Sequence, residues 1–336
     1  MDRISNIAEI AYRDLLRMLK DDRVSAIRGT PILRVKGKKR YWYDQYRVGT
    51  SVKQKYIGED GPDLSAAIEQ RTALAQTQVQ RQANRSRLVR LMRTEGMLGL
   101  DGANSSLLSA LANAGLFRLG GTLVGTVAFR LYEAELGIKL STDELINTND
   151  IDIASFTRLS LALQNQVLES FNGVFSEFKF DPVPSFDREH VWKWRQTQSD
   201  LMVEFLTPSF NEAEGLERLP ALGVSAQSLH HLNYLIANPI HAVIPYRSGV
   251  LIQIPAPERF AIHKLIVADR RRDGPDSFKA RKDRDQARFL VNVLAEDRPD
   301  ELAEAYQDAM KRGPKWQDRL GASLKRLPDI AEILTP

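Results

Sequence analysis

Apolar positions recur every three or four residues in two parts of the chain, its first twenty residues and its last eighty. The first pattern, over residues 2–22, predicts a short opening helix. A glutamine- and arginine-rich segment predicts a longer helix from residue 63 to about 94, followed by Gly96. Beyond residue 257 the chain is predicted to be helical to its end, over 258–270, 276–294, 299–310 and 317–327.

Aromatic and β-branched runs predict strands in the remaining parts. Residues 39–49 and 52–58 form two such runs joined by a glycine-containing turn, the pattern of a β-hairpin. In the middle of the chain, strands are predicted over 116–119, 191–196, 201–206 and 249–254, and helices over 104–114, 122–136 and 157–171.

These patterns divide the chain into four parts. They are an N-terminal basic helix and hairpin module (1–62), a linking helix (63–100), a central α+β domain (101–256) and a C-terminal helical domain (257–336). With 336 residues, 43% of them apolar, the chain can bury a large core. It has no long apolar run and no apolar leader at its start, so we expect a cytoplasmic protein without membrane contact.

The composition of the chain limits the kinds of active site and metal site that it can have. The chain has no cysteine, which excludes disulfides, thiolate nucleophiles and cysteine zinc sites, and its five histidines lack metal-ligand spacing. A metal site would therefore consist of carboxylates. The net charge is only +4, but nine basic residues and one acidic residue fall between residues 28 and 55, and seven basic and three acidic residues between 270 and 284. These clusters favour an anionic partner such as nucleic acid, although solvated faces of the same charge remain an alternative.

An acid pair lies in an apolar strand-like stretch near the middle of the chain. Alternation sends Asp150 and Asp152 to one face and Ile151 and Ile153 to the other, towards a core. Two neighbouring carboxylates repel each other unless a cation lies between them, and Mg²⁺ is the hard ion that prefers oxygen ligands. The pattern therefore predicts a metal-dependent nucleotide enzyme, the alternative being a solvated strand edge.

Two further features complete the candidate site. Gly120, Gly121 and Thr122 precede a predicted helix, whose free N–H groups and dipole favour phosphate, although such a glycine pair can also be a simple turn. Glu204 lies between Val203 and Phe205 in a later apolar strand and can supply the third carboxylate that two-metal phosphoryl transfer uses.

The order of these motifs resembles the polymerase β-like nucleotidyltransferase superfamily, and more closely its bacterial branch with the AbiE-type and MenT-type toxins. The resemblance implies an α+β fold, with a small mixed nucleotidyltransferase sheet flanked by helices between the N-terminal module and the helical C-terminal region. The chain departs from the superfamily's pattern in two places: the interval from Gly121 to Asp150 is long, and Gln286 stands where the toxin branch often has an acid.

The resemblance also implies site residues and cofactors. Two Mg²⁺ ions, with Mn²⁺ as an alternative ion, would be held by the acids, and an NTP would be held by the glycine turn and two helical segments. The residues are Asp150, Asp152 and Glu204 as catalytic and metal-binding residues, and Gly120, Gly121, Thr122, Lys264, Lys282 and Asp283 as nucleotide-binding residues.

The hairpin module carries aromatic and basic side chains in alternation, which is the combination that binds single-stranded nucleic acid. It loosely resembles the small N-terminal hairpin modules of some transposases and recombinases. The predicted nucleic-acid-binding residues are Lys39, Arg40, Trp42, Tyr43, Arg47, Lys53 and Lys55. In the alternative interpretation the aromatic residues form a small core and the basic residues its solvated face.

The hypothesis that follows is an Mg²⁺-dependent nucleotidyltransferase that moves an NMP from an NTP to a hydroxyl acceptor, with RNA, for example a tRNA 3′ end, as the favoured acceptor. A toxin-type enzyme with a cognate antitoxin is one form of this hypothesis. The alternatives are a non-catalytic nucleic-acid-binding or regulatory protein on a degenerate nucleotidyltransferase scaffold, and an enzyme that modifies proteins by AMPylation.

Overall fold

The computed structural model describes residues 2–24, 29–48, 51–97, 99–140, 150–157, 171–184, 190–210, 213–273 and 277–335. The N-terminal part contains α1 (Asn6–Val24), β1 (Thr30–Lys36), β2 (Lys39–Val48), β3 (Ser51–Glu59) and α2 (Pro62–Thr94). The central part begins with α3 (Gly102–Ala114), β4 (Thr122–Val124), α4 (Gly125–Leu136), β5 (Asp150–Ala154), α5 (Phe171–Glu177), β6 (Phe180–Pro182) and β7 (Lys193–Gln196). It continues with β8 (Met202–Pro208), β9 (Leu216–Leu219), β10 (Val224–Leu229), α6 (Leu232–Leu235), β11 (Ile240–Ile244) and β12 (Val250–Ile254). The C-terminal part contains α7 (Pro257–Arg270), α8 (Ser277–Asp297), α9 (Pro299–Met310), α10 (Pro314–Leu324) and α11 (Pro328–Leu334).

A mixed sheet of seven strands forms the centre of the fold. Its main path runs β4-β5-β8-β10-β9, and β7 pairs with β8 and with β6. Strands β5, β8 and β10 are parallel, whereas β4, β7 and β9 run antiparallel to their neighbours. Helices flank this sheet, which confirms the predicted α+β class.

The N-terminal part is joined to the central part by apolar packing. The early end of α1 lies beside the late end of α2, where Ser5 donates a hydrogen bond to Glu95 at 2.6 Å, so the two helices run antiparallel. Their shared core includes Tyr12 and Met92 and extends to Ala134 of α4 and Val243 of β11. The apolar face predicted for residues 2–22 is therefore buried against the central part as well as against α2.

The predicted hairpin is part of a three-stranded antiparallel sheet with the order β1-β2-β3. Strand β1 was not predicted, because its outward positions are polar or exposed and its apolar alternation is weak. The long helix α2 begins at Pro62, where the missing N–H and the fixed backbone angle of proline suit a first helical turn.

Two predicted elements differ from the structure around residue 120. Residues 116–119 form turns rather than a strand, and the predicted helix over 122–136 begins as β4, with helical structure starting only at Gly125. All three residues of β4 are buried and pair with β5, and this pairing overrides the helical periodicity of the segment. The helix predicted over 157–171 lies outside the described residues except at its two ends.

Aromatic rings connect the C-terminal helices to the helix that follows β4. Phe129 of α4 stacks on Phe260 of α7, with ring centroids 6.2 Å apart, and meets Phe289 of α8 edge-on at 6.1 Å. Tyr132 of α4 adds an edge contact to Phe260 and donates a hydrogen bond to the Pro255 carbonyl at 2.9 Å. These contacts hold α7 and α8 against α4, and so position their polar side chains near the edge of the central sheet.

Candidate active site

Three carboxylates share one face of the central sheet. In β5, Ile151 and Ile153 are fully buried, so the partly buried Asp150 and Asp152 point to the opposite face. In the parallel register of β5 and β8, Asp152 lies directly opposite Glu204. Residues paired in this way point to the same side, so the structure brings together all three predicted acids.

Gly125 brings the backbone of the first turn of α4 against the acid pair. Its φ is +69°, and a Cβ placed on it would lie 2.2 Å from Oδ2 of Asp152. Only glycine fits this position, because any side chain would meet the carboxylate and would also strain the left-handed backbone. The residue before the helix, Val124, provides no side-chain cap for the N–H groups of this turn.

The predicted glycine turn at Gly120-Gly121-Thr122 does not adjoin the acid pair. Thr122 pairs with Ala154, at the opposite end of β5 from Asp150. The Gly121 N–H donates to the Leu116 carbonyl at 3.0 Å, and the Gly121 carbonyl accepts from Gln253 at 3.3 Å. These backbone groups are used within the fold, and the turn that adjoins the acids is Gly125-Thr126. The signal that could have located it is the short run Thr122-Leu123-Val124, which ends at a glycine directly before a helical pattern.

The acids repel one another electrostatically. Burial, together with the charges of Glu204 and Asp150, raises the pKa of Asp152 to about 7, although Lys264 and Arg271 act in the opposite direction. Asp152 therefore keeps its proton up to near neutral pH, because burial and the neighbouring carboxylates disfavour its ionised form.

Glu204 is partnered by a lysine from the neighbouring strand. Lys193 of β7 pairs with Glu204 in the sheet register, and its Nζ lies 2.6 Å from Glu204 Oε1. Both side chains are mostly buried, with 24% and 20% of their surfaces exposed. Lys193 is a site residue that the sequence analysis missed, because the register between β7 and β8 is a tertiary feature.

The predicted Lys264 and Asp283 form a buried ion pair between α7 and α8. Lys264 Nζ lies 2.5 Å from Asp283 Oδ1, and Arg271 Nη1 lies 2.7 Å from Asp283 Oδ2. Burial opposes ionisation, but Lys264 and Arg271 hold the pKa of Asp283 below its ordinary value. Asp283 therefore positions two cations. Arg271 was not singled out from the sequence, although it lies in the basic cluster of residues 270–284.

Lys282 and Gln286 occupy successive turns of α8 next to this pair. Burial and the charge of Lys264 lower the pKa of Lys282, while Asp283 and Asp150 oppose that shift. Lys282 is thus close enough to Asp150 for their charges to interact. Gln286 is 2% exposed, and neither polar atom of its amide has a hydrogen-bond partner among the described residues.

The predicted nucleic-acid-binding residues are divided between the two faces of the N-terminal sheet. Trp42 donates from Nε1 to Asp60 at 2.8 Å, and Arg40 pairs with the same carboxylate. Lys39 pairs with Glu59 at 2.9 Å, and Tyr43 lies edge-on to Tyr56. Lys53 is partly buried and Lys55 is exposed, whereas the side chain of Arg47 lies outside the described part of the structure.

The fit of this site to a divalent ion rests on its donor set. Within the described ranges, no three acidic or histidine side chains stand in ligating positions. Asp150 and Asp152 nevertheless offer hard oxygen atoms on one face beside Gly125, and Glu204 shares that face while paired with Lys193. The residues therefore fit a divalent ion, provided that Glu204 leaves its lysine when the ion binds.

Comparison with known proteins gives the class. Residues 103–311 match the family described as Nucleotidyltransferase, and residues 9–66 match a domain of unknown function, DUF6788. The first match spans well over half of the chain, and the chain belongs to the nucleotidyltransferase family. It is therefore an enzyme of nucleoside monophosphate transfer that takes an NTP as its substrate, in a family whose members generally use divalent metals.

An antigenic nucleotidyltransferase-like protein from Paracoccidioides brasiliensis is similar in structure, with 15% sequence identity over 70% of this chain and 94% of that chain and a TM-score of 0.36. A search of curated proteins gave no match. In the described part of the chain, no helix is both long and apolar enough to cross a membrane. The resemblance to the AbiE-type and MenT-type branch stays a prediction.

Proposed function

We propose that this nucleotidyltransferase transfers an NMP from an NTP to a hydroxyl group of RNA, and that Asp150, Asp152 and Glu204 hold its Mg²⁺ ions. The observation that carries the proposal is the shared face of these three carboxylates beside the first turn of α4. Mg²⁺ bound there would lower the pKa of the acceptor hydroxyl and neutralise charge on the departing pyrophosphate.

The chain's own groups then have distinct tasks. The N–H groups of the turn at Gly125 and Thr126 bind phosphate oxygens at the positive end of α4. Lys264 and Lys282 place positive charge near the acids, where the phosphates would lie, and Asp283 fixes the position of Lys264. Positioning and charge neutralisation of this kind supply most of the rate enhancement in phosphoryl transfer.

The preference for an RNA acceptor is supported by the basic N-terminal module. Between residues 28 and 55 the chain carries nine basic residues against one acidic residue. This module shares a core with α4 and β11 through α1 and α2, so an acceptor bound to it would be held by the same body that holds the acids. A role as a toxin, with an antitoxin partner, would be one physiological use of such an activity.

The test is incubation of the full-length protein with each α-labelled NTP, Mg²⁺ and total cellular RNA. We expect label in RNA, and a loss of at least about a hundredfold in Asp150→Asn, Asp152→Asn and Glu204→Gln, as for removal of charge-stabilising groups elsewhere. Asp318→Asn, which alters an exposed carboxylate on α10, is the matched control. Wild-type rates in all three site variants would refute the metal assignment, and label transferred from ATP to protein instead of RNA would identify AMPylation.

A further inference from the structure

Strands β2 and β3 of the N-terminal sheet place three tyrosine rings on one face. Tyr43 of β2 lies opposite Tyr56 of β3 in the register, and their ring centroids are 5.5 Å apart in an edge-on contact. Tyr41 lies on the same side, 6.1 Å from Tyr56. Tyr56 is 53% exposed. The three rings form a continuous group, which we call the tyrosine face.

Helix α2 covers the other face of this sheet. Trp42 points there and donates to Asp60, and Asp44 pairs with Arg71 of α2 at 2.7 Å. A Cβ on Gly58, opposite Trp42 in the register, would lie 2.9 Å from Leu64 of α2. The side chains of Trp42 and Asp44 on this face are thus committed to contacts within the fold. Because side chains alternate along a strand, the tyrosine face lies on the side away from α2.

Cations border the tyrosine face along β1. Arg34 lies opposite Tyr41 in the register, and Lys36 lies opposite Lys39. Arg34 and Lys36 are exposed, and neither makes an ion pair with any described residue. Lys39 is partly neutralised by Glu59 at 2.9 Å. The surface therefore combines open aromatic rings with available positive charge.

This combination discriminates between ligands. Unpaired bases expose the π-faces that stack on tyrosine, and their phosphates pair with arginine and lysine, whereas the bases of a duplex are already stacked on each other. An acidic peptide would use the cations but would leave the rings without a partner. The chemistry of the face therefore fits single-stranded nucleic acid.

We propose that Tyr41, Tyr43 and Tyr56, bordered by Arg34 and Lys36, bind a single-stranded segment of nucleic acid. The identification of that segment as part of the RNA acceptor rests on the proposed function, but the binding itself does not. The inference also changes the residues involved. Trp42 and Arg40, which the sequence predicted as nucleic-acid contacts, lie on the opposite face, where both contact Asp60. Tyr56 takes the place of Trp42 as a stacking residue.

The binding test uses the full-length protein without NTP or metal, and a fluorescent single-stranded RNA of about 12 nucleotides, within the range of stacking sites. We expect Tyr56→Ala to raise the Kd from fluorescence anisotropy about 5- to 150-fold, which corresponds to the loss of one stacked base. Tyr56→Phe keeps the ring and should bind within about twofold of wild type. Trp42→Phe, on the opposite face, is the matched aromatic control and should also bind like wild type.

The charges are tested by salt titration. Arg34→Gln together with Lys36→Gln should lower the slope of log Kd against log salt by about 1.4, since each single-strand phosphate contact contributes about 0.7. Lys325→Gln, at the end of α10, should leave the slope unchanged. Equal binding of duplex RNA, or wild-type binding by Tyr56→Ala, would overturn the proposal. A parallel DNA oligonucleotide shows whether the sugar matters.

The result of the RNA-binding test can be separated from the result of the transfer assay. The binding assay contains neither NTP nor metal, so it measures RNA binding without the transfer reaction. If RNA binds to the tyrosine face but is not labelled in the transfer assay, the proposed acceptor is wrong and the binding site stands. If RNA is labelled at wild-type rates by Tyr56→Ala and its Kd is unchanged, the tyrosine face is not the binding site.

Discussion

Replacing Asp152 by asparagine should stabilise the metal-free enzyme while abolishing transfer. The folded-state pKa of Asp152, about 7, lies above its ordinary value of 3.8 because of burial and the charges of Glu204 and Asp150. Below about pH 3.8 the group is protonated in both folded and unfolded chains and makes no difference. As the pH rises, the unfolded chain releases the proton first, so stability falls until about pH 7 and the full penalty remains above it.

The magnitude follows from the two pKa values. Each tenfold change in the proton-binding constant is worth about 1.4 kcal/mol, so ionisation of Asp152 costs the folded state up to roughly 4 kcal/mol at about pH 8. The neighbouring acids titrate together, and some of this repulsion is relieved by their adjustment, so we expect a gain of about 2 kcal/mol in Asp152→Asn. For a protein of this size that is a rise in Tm of ~3 °C.

The assay is thermal and urea unfolding of wild type and variant in EDTA, at about pH 8 and at about pH 4, with Asp318→Asn as the exposed control. The difference should be present at the higher pH and nearly absent at the lower one. Addition of Mg²⁺ should raise the stability of wild type and have a smaller effect on Asp152→Asn. A variant that is no more stable than wild type at about pH 8 would refute the argument that like charges and burial raise the pKa of this group.

Three other substitutions test the supporting residues. Gly125→Ala should lower the transfer rate at least about tenfold, whereas Gly223→Ala, at a similar φ of +64° but with open space around it, should share only the backbone strain of ~1 kcal/mol; equal rates would exclude the contact with Asp152. Lys193→Met should free Glu204 and lower the Mn²⁺ concentration at half-saturation, followed by EPR, about fivefold; an increase would contradict competition between lysine and metal. Asp283→Asn leaves the buried Lys264 without its carboxylate and should destabilise the protein by about 3 kcal/mol in urea unfolding; an unchanged midpoint would show that the pair is dispensable.

The acids were predictable because their signal is local. Alternation of acidic and apolar residues over four positions is enough to place Asp150 and Asp152 on one face, and the same rule applies to Glu204 between its apolar neighbours. The structure agrees with both patterns, since the intervening residues are fully buried. Helices α7, α8 and α9 were predictable for the same reason, because their apolar period is long and regular, whereas α10 begins and ends three residues earlier than predicted and α11 was not predicted.

The glycine turn shows where local reasoning fails. Gly120-Gly121 has the stronger sequence signal, but the choice between it and Gly125 depends on which turn meets β5. That pairing lies between segments far apart in the chain, and the run from Thr122 to Val124 adopts a strand because it is buried beside β5. Lys193 and Arg271 were not predicted as site residues for the same reason, since their partners lie on another strand and another helix.

For the N-terminal module, too, some features are visible in the sequence and others are set only by the structure. Its aromatic and basic composition is visible in the sequence, but the side of the sheet that α2 covers is set by the contacts of Asp60, Arg71 and Leu64. Composition and short-range periodicity determine which residues can take part in chemistry, because they depend on neighbours along the chain. Tertiary packing decides which of them meet, because register and helix docking join segments that no local pattern relates, and it thereby selects Gly125 at the acid pair and the tyrosines on the open face of the sheet.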